Sequence, residues 1–411
     1  MRAYVEAYGC TLNFGESREV EDVLVGKGWE LSCDPDGSDL AVLVTCVVIE
    51  TTERAMLKRI AELRRSRRLV VTGCMATACR EKAHDLAPSA VFIAPGDLET
   101  FSRLVDSYGL QQSSMAHERE SYGIVPIAAG CRGACSYCIT RLARGELKSR
   151  PREKIMSAIE REASCGPREI QLTAQDTAAY GHDIGTDLPS LVGDACKLPF
   201  DFRLRVGMMN PKSALPIVDK IADMYLEPKV FKFIHLPLQS ASDRLLLHME
   251  RGYSVDDFRT VIRTVRGLLP AVTISTDLIV GYPGESERDH KDNLSIISEL
   301  KPDIVNVTRF SSRPGTKAAE SEGHVVGWKA KNRSRELTEL RFKVALERNK
   351  AWIGRTFKAL ATEPGKNTST ILRNDEYKQV VVSERLSLEK YYEINVVDAT
   401  PTYLIGMRVG A

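Results

Sequence analysis

Short β-branched apolar runs alternate with longer amphipathic stretches until the charged segment Trp328–Trp352, after which the rhythm changes. Near the start, 2–8, 39–45 and 68–72 are compact apolar runs bounded by turn residues, the pattern of buried strands. Helical periodicity fills 16–29 and 50–67 between them. Strands alternating with helices specify a parallel sheet, in which ligands sit at the edge shared by the carboxyl ends of the strands. The pattern then repeats. Apolar runs at 122–130, 169–173, 202–206, 231–236, 272–280 and 303–308 are separated by helical patterns at 151–163, 213–225, 254–268 and 286–300. Six such units predict a (β/α)6-type partial barrel whose active face lies at the carboxyl ends of the strands. Beyond Trp352, residues 355–361, 369–373, 379–382 and 391–397 alternate with period two between Gly, Asn and Asp turns, which predicts a small antiparallel β-barrel. The expected fold class is α/β, with domains at 1–112, 116–347 and 350–411.

Cysteine placement gives these elements candidate chemistry. Cys10, Cys46 and Cys74 each follow one of the first three strands, two of them directly after glycine. A single buried cysteine is commonplace. Three at equivalent strand ends converge on one sheet edge and form a candidate three-thiolate cluster site. Cys33 and Cys79 lack this placement. A second triad, Cys131, Cys135 and Cys138, lies in the loop after the first strand of the predicted barrel, spaced C-x3-C-x2-C. Three thiolates can hold three irons of a cubic four-iron cluster and leave the fourth iron open, whereas fully sulfur-ligated clusters use four cysteines. The alternative is a zinc loop, although zinc sites pair C-x2-C units or recruit histidines, and none lies close by in sequence.

Composition narrows the setting. The 411 residues are 43% hydrophobic and 27% charged, as in a globular protein of two or three domains. No apolar stretch approaches a membrane span and the start lacks a signal-peptide core, so no membrane partner is expected. Ten cysteines in such a chain imply a reducing compartment, with cytoplasmic location expected, and metal chemistry rather than disulfides. Lys+Arg at 57 nearly cancels Asp+Glu at 55, so any nucleic-acid surface has to arise from local clustering. One cluster, Arg141, Arg144, Lys148, Arg150 and Arg152, follows the second triad and is a candidate for phosphate contact. Lys358, Lys366, Arg373, Tyr377 and Lys378 are candidates in the last domain.

The Cys131–Cys138 loop resembles that of the radical S-adenosylmethionine (SAM) enzymes. Its combination with Gly9-Cys-Thr-Leu-Asn13, Val44-Thr-Cys46 and Gly73-Cys-Met-Ala76 resembles the methylthiotransferases over essentially the whole chain. The stretches 9–17 and 139–152 resemble the archaeal and eukaryotic branch, which acts on tRNA carrying N6-threonylcarbamoyladenosine beside the anticodon. The resemblance implies two [4Fe-4S] clusters: one on Cys10, Cys46 and Cys74, implicated in sulfur supply, and one on Cys131, Cys135 and Cys138, which binds and cleaves SAM. It implies a TRAM-like RNA-binding last domain, a tRNA substrate, a protein electron donor and a sulfur source. Polar or glycine groups at the barrel strand ends are expected around SAM: Gln175, Asp176, Arg205, His235, Gly281 and Arg309. Two alternatives stand beside this reading, methylthiolation of a ribosomal-protein aspartate and a non-catalytic iron–sulfur RNA-binding protein. A core role for His235 is a third open point.

Overall fold

The computed structural model describes residues 1–109, 122–164 and 169–410. The expected boundary at 112–116 lies outside the described residues. The chain forms two compact units: Met1–Arg119, Ala129–Lys148 and Ser311–Glu320 make the first, and Glu120–Ala128, Ser149–Phe310 and Ser321–Ala411 the second.

In the first unit, β1 (Arg2–Ala7), β2 (Glu30–Ser32), β3 (Leu40–Thr45), β4 (Leu69–Gly73) and β5 (Val91–Phe92) form an all-parallel sheet ordered β2-β1-β3-β4-β5. β3 is buried at every position, as its unbroken apolar run requires. The helix after β1, α1 (Thr11–Gly26), starts directly after Cys10, and α2 (Glu50–Leu63) follows β3. Two short helices follow cysteines in the same way: α3 (Met75–Ala78) after Cys74 and α4 (Ile139–Arg144) after Cys138. Ile139 and Ala143 bury α4 in the cluster that contains Cys74 and Met75. Sequence periodicity missed β2 and β5, which have only three and two residues.

The second unit opens with the six expected strands, all parallel where paired. β6 (Tyr122–Pro126), β7 (Glu169–Thr173) and β8 (Arg203–Val206) form one sheet; β9 (Phe233–His235), β10 (Thr273–Val280) and β11 (Ile304–Arg309) form another. A parallel bridge between Leu204 and Val230 links them, and the Phe231 amide donates to the Leu204 carbonyl (2.9 Å). The strands run β6-β7-β8-β9-β10-β11 around an open barrel. Capping boxes at Ser254/Asp257 and Ser286/Asp289 start the helices on either side of β10 by satisfying first-turn amides.

The C-terminal barrel is closed, and it has five strands rather than the four expected: β12 (Thr356–Pro364), β13 (Thr370–Arg373), β14 (Gln379–Val382), β15 (Tyr391–Ala399) and β16 (Leu404–Arg408), ordered β12-β13-β14-β16-β15. It is antiparallel except where β14 and β16 pair in parallel.

The turn between β13 and β14 corrects one expectation. Tyr377 and Lys378 do not face solvent. The Tyr377 ring packs on Phe231 and Phe233 at 4.9 and 5.1 Å, with Arg205 and Arg373 at 5.4 and 4.8 Å from its centroid. Its hydroxyl donates to Glu169 at 2.5 Å. Lys378 bonds Asp303 at 2.7 Å and Asn349 at 2.9 Å. Glu169, Phe233 and Asp303 all lie at the amino ends of barrel strands, so this turn closes the end opposite the expected active face. Tyr377 holds φ at +61°, a costly conformation for an aromatic residue that its many contacts sustain. Tyr377→Phe should cost ~1.5 kcal/mol through loss of the bond to Glu169, read as the midpoint of urea unfolding; an unchanged midpoint would show the hydroxyl idle. Lys358 and Lys366 remain exposed.

Candidate cluster and cofactor site

Both cysteine triads lie in the first unit. Gly9 stands at φ +113°, and a Cβ there would meet Cys46 Cβ at 2.7 Å and Sγ at 2.9 Å, so only glycine lets Cys10 approach Cys46 this closely. Asn13 ties the strand ends together: its amide donates to the carbonyls of Tyr8 (2.6 Å) and Thr45 (2.9 Å). The Cys74 amide donates to the Thr45 carbonyl at 2.9 Å, and the Met75 amide to the Thr45 hydroxyl at 3.1 Å. Cys10 is exposed while Cys46 and Cys74 are buried. Burial pushes the Cys74 thiol up to about 11, opposed by the neighbouring Arg144 guanidinium and reinforced by Cys10 and Cys46. Burial also raises Cys46, with Cys10 adding to it. The three thiols feel one another, as the shared sheet edge requires.

Arg144 corrects a second expectation. Its side chain is 1% exposed and does not face a phosphate. It pairs with Glu16 (2.8 Å for one of two contacts), donates to Asn13 Oδ1 at 2.7 Å, and lies beside the Cys74 sulfur. Glu16 and Asn13 are themselves buried. The residue that follows the second triad by one short helix therefore supports the first. The helix is six residues long, so Cys138 at its start and Arg144 at its end are ~9 Å apart along the axis.

In the second triad, the Cys131 amide donates to Gly145, Gly133 donates its amide to Cys131 Sγ (3.2 Å), and Ala318 donates to the Ser136 carbonyl (2.9 Å). Burial raises the Cys138 thiol, with Cys135 adding to it, and the Arg141 and Thr140 amides at the start of α4 oppose the rise. Among the described residues no three His, Cys, Asp or Glu side chains converge closely enough to hold a single metal ion. A cubic cluster, which meets each thiolate with a different iron, does not require that convergence. The donor set fits such a cluster: two groups of three thiols, at backbone ends that present amides to sulfur.

In the second unit, Gln175 follows β7 by two residues and Arg309 is the last residue of β11. Gln175 Oε1 is buried without a partner among the described residues, and Arg309 is exposed. His235 Nε2 lies 3.1 Å from both oxygens of Asp277, which also accepts from Asn306 at 2.7 Å. Asp176 is 2% exposed, with its carboxyl raised by burial, and accepts from the Asn210 amide and the Ser213 hydroxyl. Arg205 donates to Gln171 and stacks on Phe233 and Tyr377. Gly281 stands at φ +77°, where a Cβ would meet Ala330 Cβ at 2.8 Å. Gln175 and Arg309 thus keep groups available for a polar ligand, and Asp176 and Gly281 at that end also hold the fold, whereas the Arg205 side chain, stacked on Phe233 and Tyr377, reaches toward the opposite end and does not meet the expectation of a SAM contact. Arg313, from the segment after β11, is 2% exposed and pairs with Glu53 inside the first unit.

A protein of Archaeoglobus fulgidus named "Probable threonylcarbamoyladenosine tRNA methylthiotransferase" is 37% identical over 421 aligned residues, which cover 99% of this chain and 98% of the relative. The chain belongs to that family. The family extends to eukaryotes: a Xenopus laevis "Threonylcarbamoyladenosine tRNA methylthiotransferase" is 30% identical over 99% of this chain and 77% of its own length. Residues 2–94 match "Uncharacterized protein family UPF0004", and 125–296 match the radical SAM superfamily. Among solved structures, the radical SAM methyltransferase TsrM of Kitasatospora setae aligns with TM-score 0.60 at 14% identity, over 77% of this chain and 76% of that one, a likeness of fold. At this candidate site of the methylthiotransferase chain, Asn13 and Glu16 are residues that sequence reasoning did not assign, and Arg144 is one that it assigned to phosphate instead. Asn13 stood in a quoted motif, but nothing in spacing announced that Arg144 would reach Cys74.

Proposed function

We propose that this chain is a radical SAM enzyme that attaches a methylthio group to C2 of N6-threonylcarbamoyladenosine beside the anticodon of tRNA. The observation that carries the proposal is the presence, in a chain similar end to end to named members of the family, of two separate thiol triads in one compact unit. Cys10, Cys46 and Cys74 would hold one four-iron cluster; Cys131, Cys135 and Cys138 would hold the other, with one iron free for SAM. When bound, the clusters and SAM supply the sulfur, the methyl group and the homolytic step. The chain's own residues position them. Asn13 and Thr45 fix the strand ends that carry Cys10, Cys46 and Cys74. Within the second unit, Gln175 Oε1 offers a buried acceptor and Arg309 an exposed cation for a polar ligand, with His235, Asp176 and Gly281 at the same carboxyl end of the barrel. No helix among the described residues is long and apolar enough to cross a membrane. We further propose a cytoplasmic location, a protein reductant and a separate sulfur source. The test is mass spectrometry of digested tRNA after anaerobic turnover. tRNA bearing threonylcarbamoyladenosine should gain the methylthio group, and the same tRNA with bare adenosine should react poorly, since a site built for the threonyl carboxylate and hydroxyl rejects analogues lacking them. Equal reaction of both, or modification of a ribosomal protein instead, would defeat the proposal.

A further inference from the structure

The long helix α5 (Gly327–Lys350) begins against the loop after β10: Ala330 packs on Gly281, Arg333 Nη1 donates to Glu285 at 2.7 Å, and Gly284 donates its amide to Gly323 at 2.8 Å. This places the start of α5 at the carboxyl edge of the barrel, the edge that also carries Gln175 and Arg309. Ala330, Arg333 and Leu337, spaced i, i+3, i+7, are buried on the inner face. The opposite face, with the same spacing, carries Trp328, Lys331 and Arg335, all exposed, and Lys329 sits beside them with its ammonium 5.6 Å from the Trp328 ring. Trp328 is 64% exposed, whereas Trp29 and Trp352 are 3% and 8%. With Val326 beside it, also 51% exposed, the indole offers a broad π-face to a partner.

The charge is as one-sided as the burial. Residues 323–335 contain Lys329, Lys331, Arg333 and Arg335 and no Asp or Glu. Arg333 pairs with Glu285 in the adjoining loop and with Glu287 at the start of the next helix, and among the described residues no acid forms an ion pair with Lys329, Lys331 or Arg335. The first turn holds no acid and the N-cap residue, Val326, gives no side-chain cap, so the helix dipole is left uncompensated and reinforced by cations. This arrangement disfavours the helix by itself and favours an anionic occupant.

We propose that Trp328, Lys329, Lys331 and Arg335 form the surface that receives the unpaired nucleotides flanking the target base of the RNA substrate. One base stacks on Trp328, and the neighbouring phosphates meet the three cations. Single-stranded RNA offers unstacked π-faces and a phosphate at every step, which is the complement of an aromatic ring set among basic groups. The inference rests on the tRNA reading above and extends it to the residues that grip the loop.

The test measures binding of labelled substrate tRNA to the anaerobically reconstituted full chain over a series of salt concentrations. Trp328→Ala should weaken binding by about 5- to 150-fold, the range for loss of one stacked base. Trp328→Phe should restore most of it, because any aromatic face can stack. The triple variant Lys329→Ala/Lys331→Ala/Arg335→Ala should flatten the log–log salt slope by about two units, at ~0.7 per single-strand phosphate. An unchanged unfolding transition in each variant assigns the loss to the surface rather than to misfolding. Full-strength binding by Trp328→Ala together with an unchanged slope in the triple variant would overturn the inference. Failure of the unaltered chain to bind tRNA would instead defeat the substrate reading, and a loss in the variants confined to a protein substrate would assign the surface to that partner and overturn the RNA assignment.

Discussion

Replacing Cys131, Cys135 and Cys138 together by alanine is expected to abolish SAM cleavage while leaving the other triad loaded. Iron should fall from about eight to about four per chain after anaerobic reconstitution. The expectation follows from the separate backbone supports of the two triads, which are joined through Arg144 at the far end of α4 rather than through the Cys131–Cys138 thiols. Cys10, Cys46 and Cys74 depend on Asn13, Thr45 and Gly9, whose bonds and close approach run to Tyr8, Thr45, Met75 and Cys46. Cys138 precedes α4 but gives it no side-chain cap, so its loss removes no helix stop, and Ile139 and Ala143 still anchor the helix. The reciprocal variant, lacking Cys10, Cys46 and Cys74, should keep SAM cleavage and lose sulfur insertion. Loss of all iron from the first variant, or stoichiometric zinc in the unaltered protein, would remove the two-cluster reading.

Arg144→Ala should unfold the protein far more readily, by ~3–5 kcal/mol, because it strands the buried Glu16 carboxylate without its partner. Arg144→Lys should recover only part of this: one ammonium cannot reproduce the forked contacts to Glu16 and Asn13. Pairing Arg144→Met with Glu16→Gln removes both charges and should be much milder than the single change. Urea unfolding of the four proteins decides the matter. If Arg144→Ala keeps the parental stability and merely reduces the salt dependence of RNA binding, the buried role is wrong. Arg141 and Lys148, the other basic residues of that stretch in the first unit, should behave in the opposite way, with little effect on stability and about one unit of salt slope each.

These two cases also show where sequence was readable and where it was not. Cys10, Cys46 and Cys74 were found because strand ends in a parallel sheet must share an edge, so chain-distant residues are brought together by topology alone. The six barrel strands were found for the same reason: each is a compact apolar run. Arg144 and Tyr377 defeated the reading because a basic or aromatic residue in a polar stretch looks identical whether it faces water or fills a polar cavity. Only the positions of Glu16 and Glu169, 128 and 208 residues away in the chain, decide between the two. β2, β5 and β16 escaped for a different reason. The first two are too short to show a period, and β16 interrupts its apolar run with Gly406 and ends in Met407-Arg408.

The turn carrying Tyr377 bears on how far the C-terminal barrel is an exchangeable part. Because Phe231, Phe233, Glu169 and Asp303 all depend on Tyr377 and Lys378, cutting the chain at Trp352 would take away the floor of the radical SAM barrel along with the appendage. A graft of the equivalent module from another enzyme can succeed only if it brings an aromatic and a lysine at the same two places in its second hairpin. The two folds have become one inheritance, since a mutation in either that disturbs this turn is felt by both.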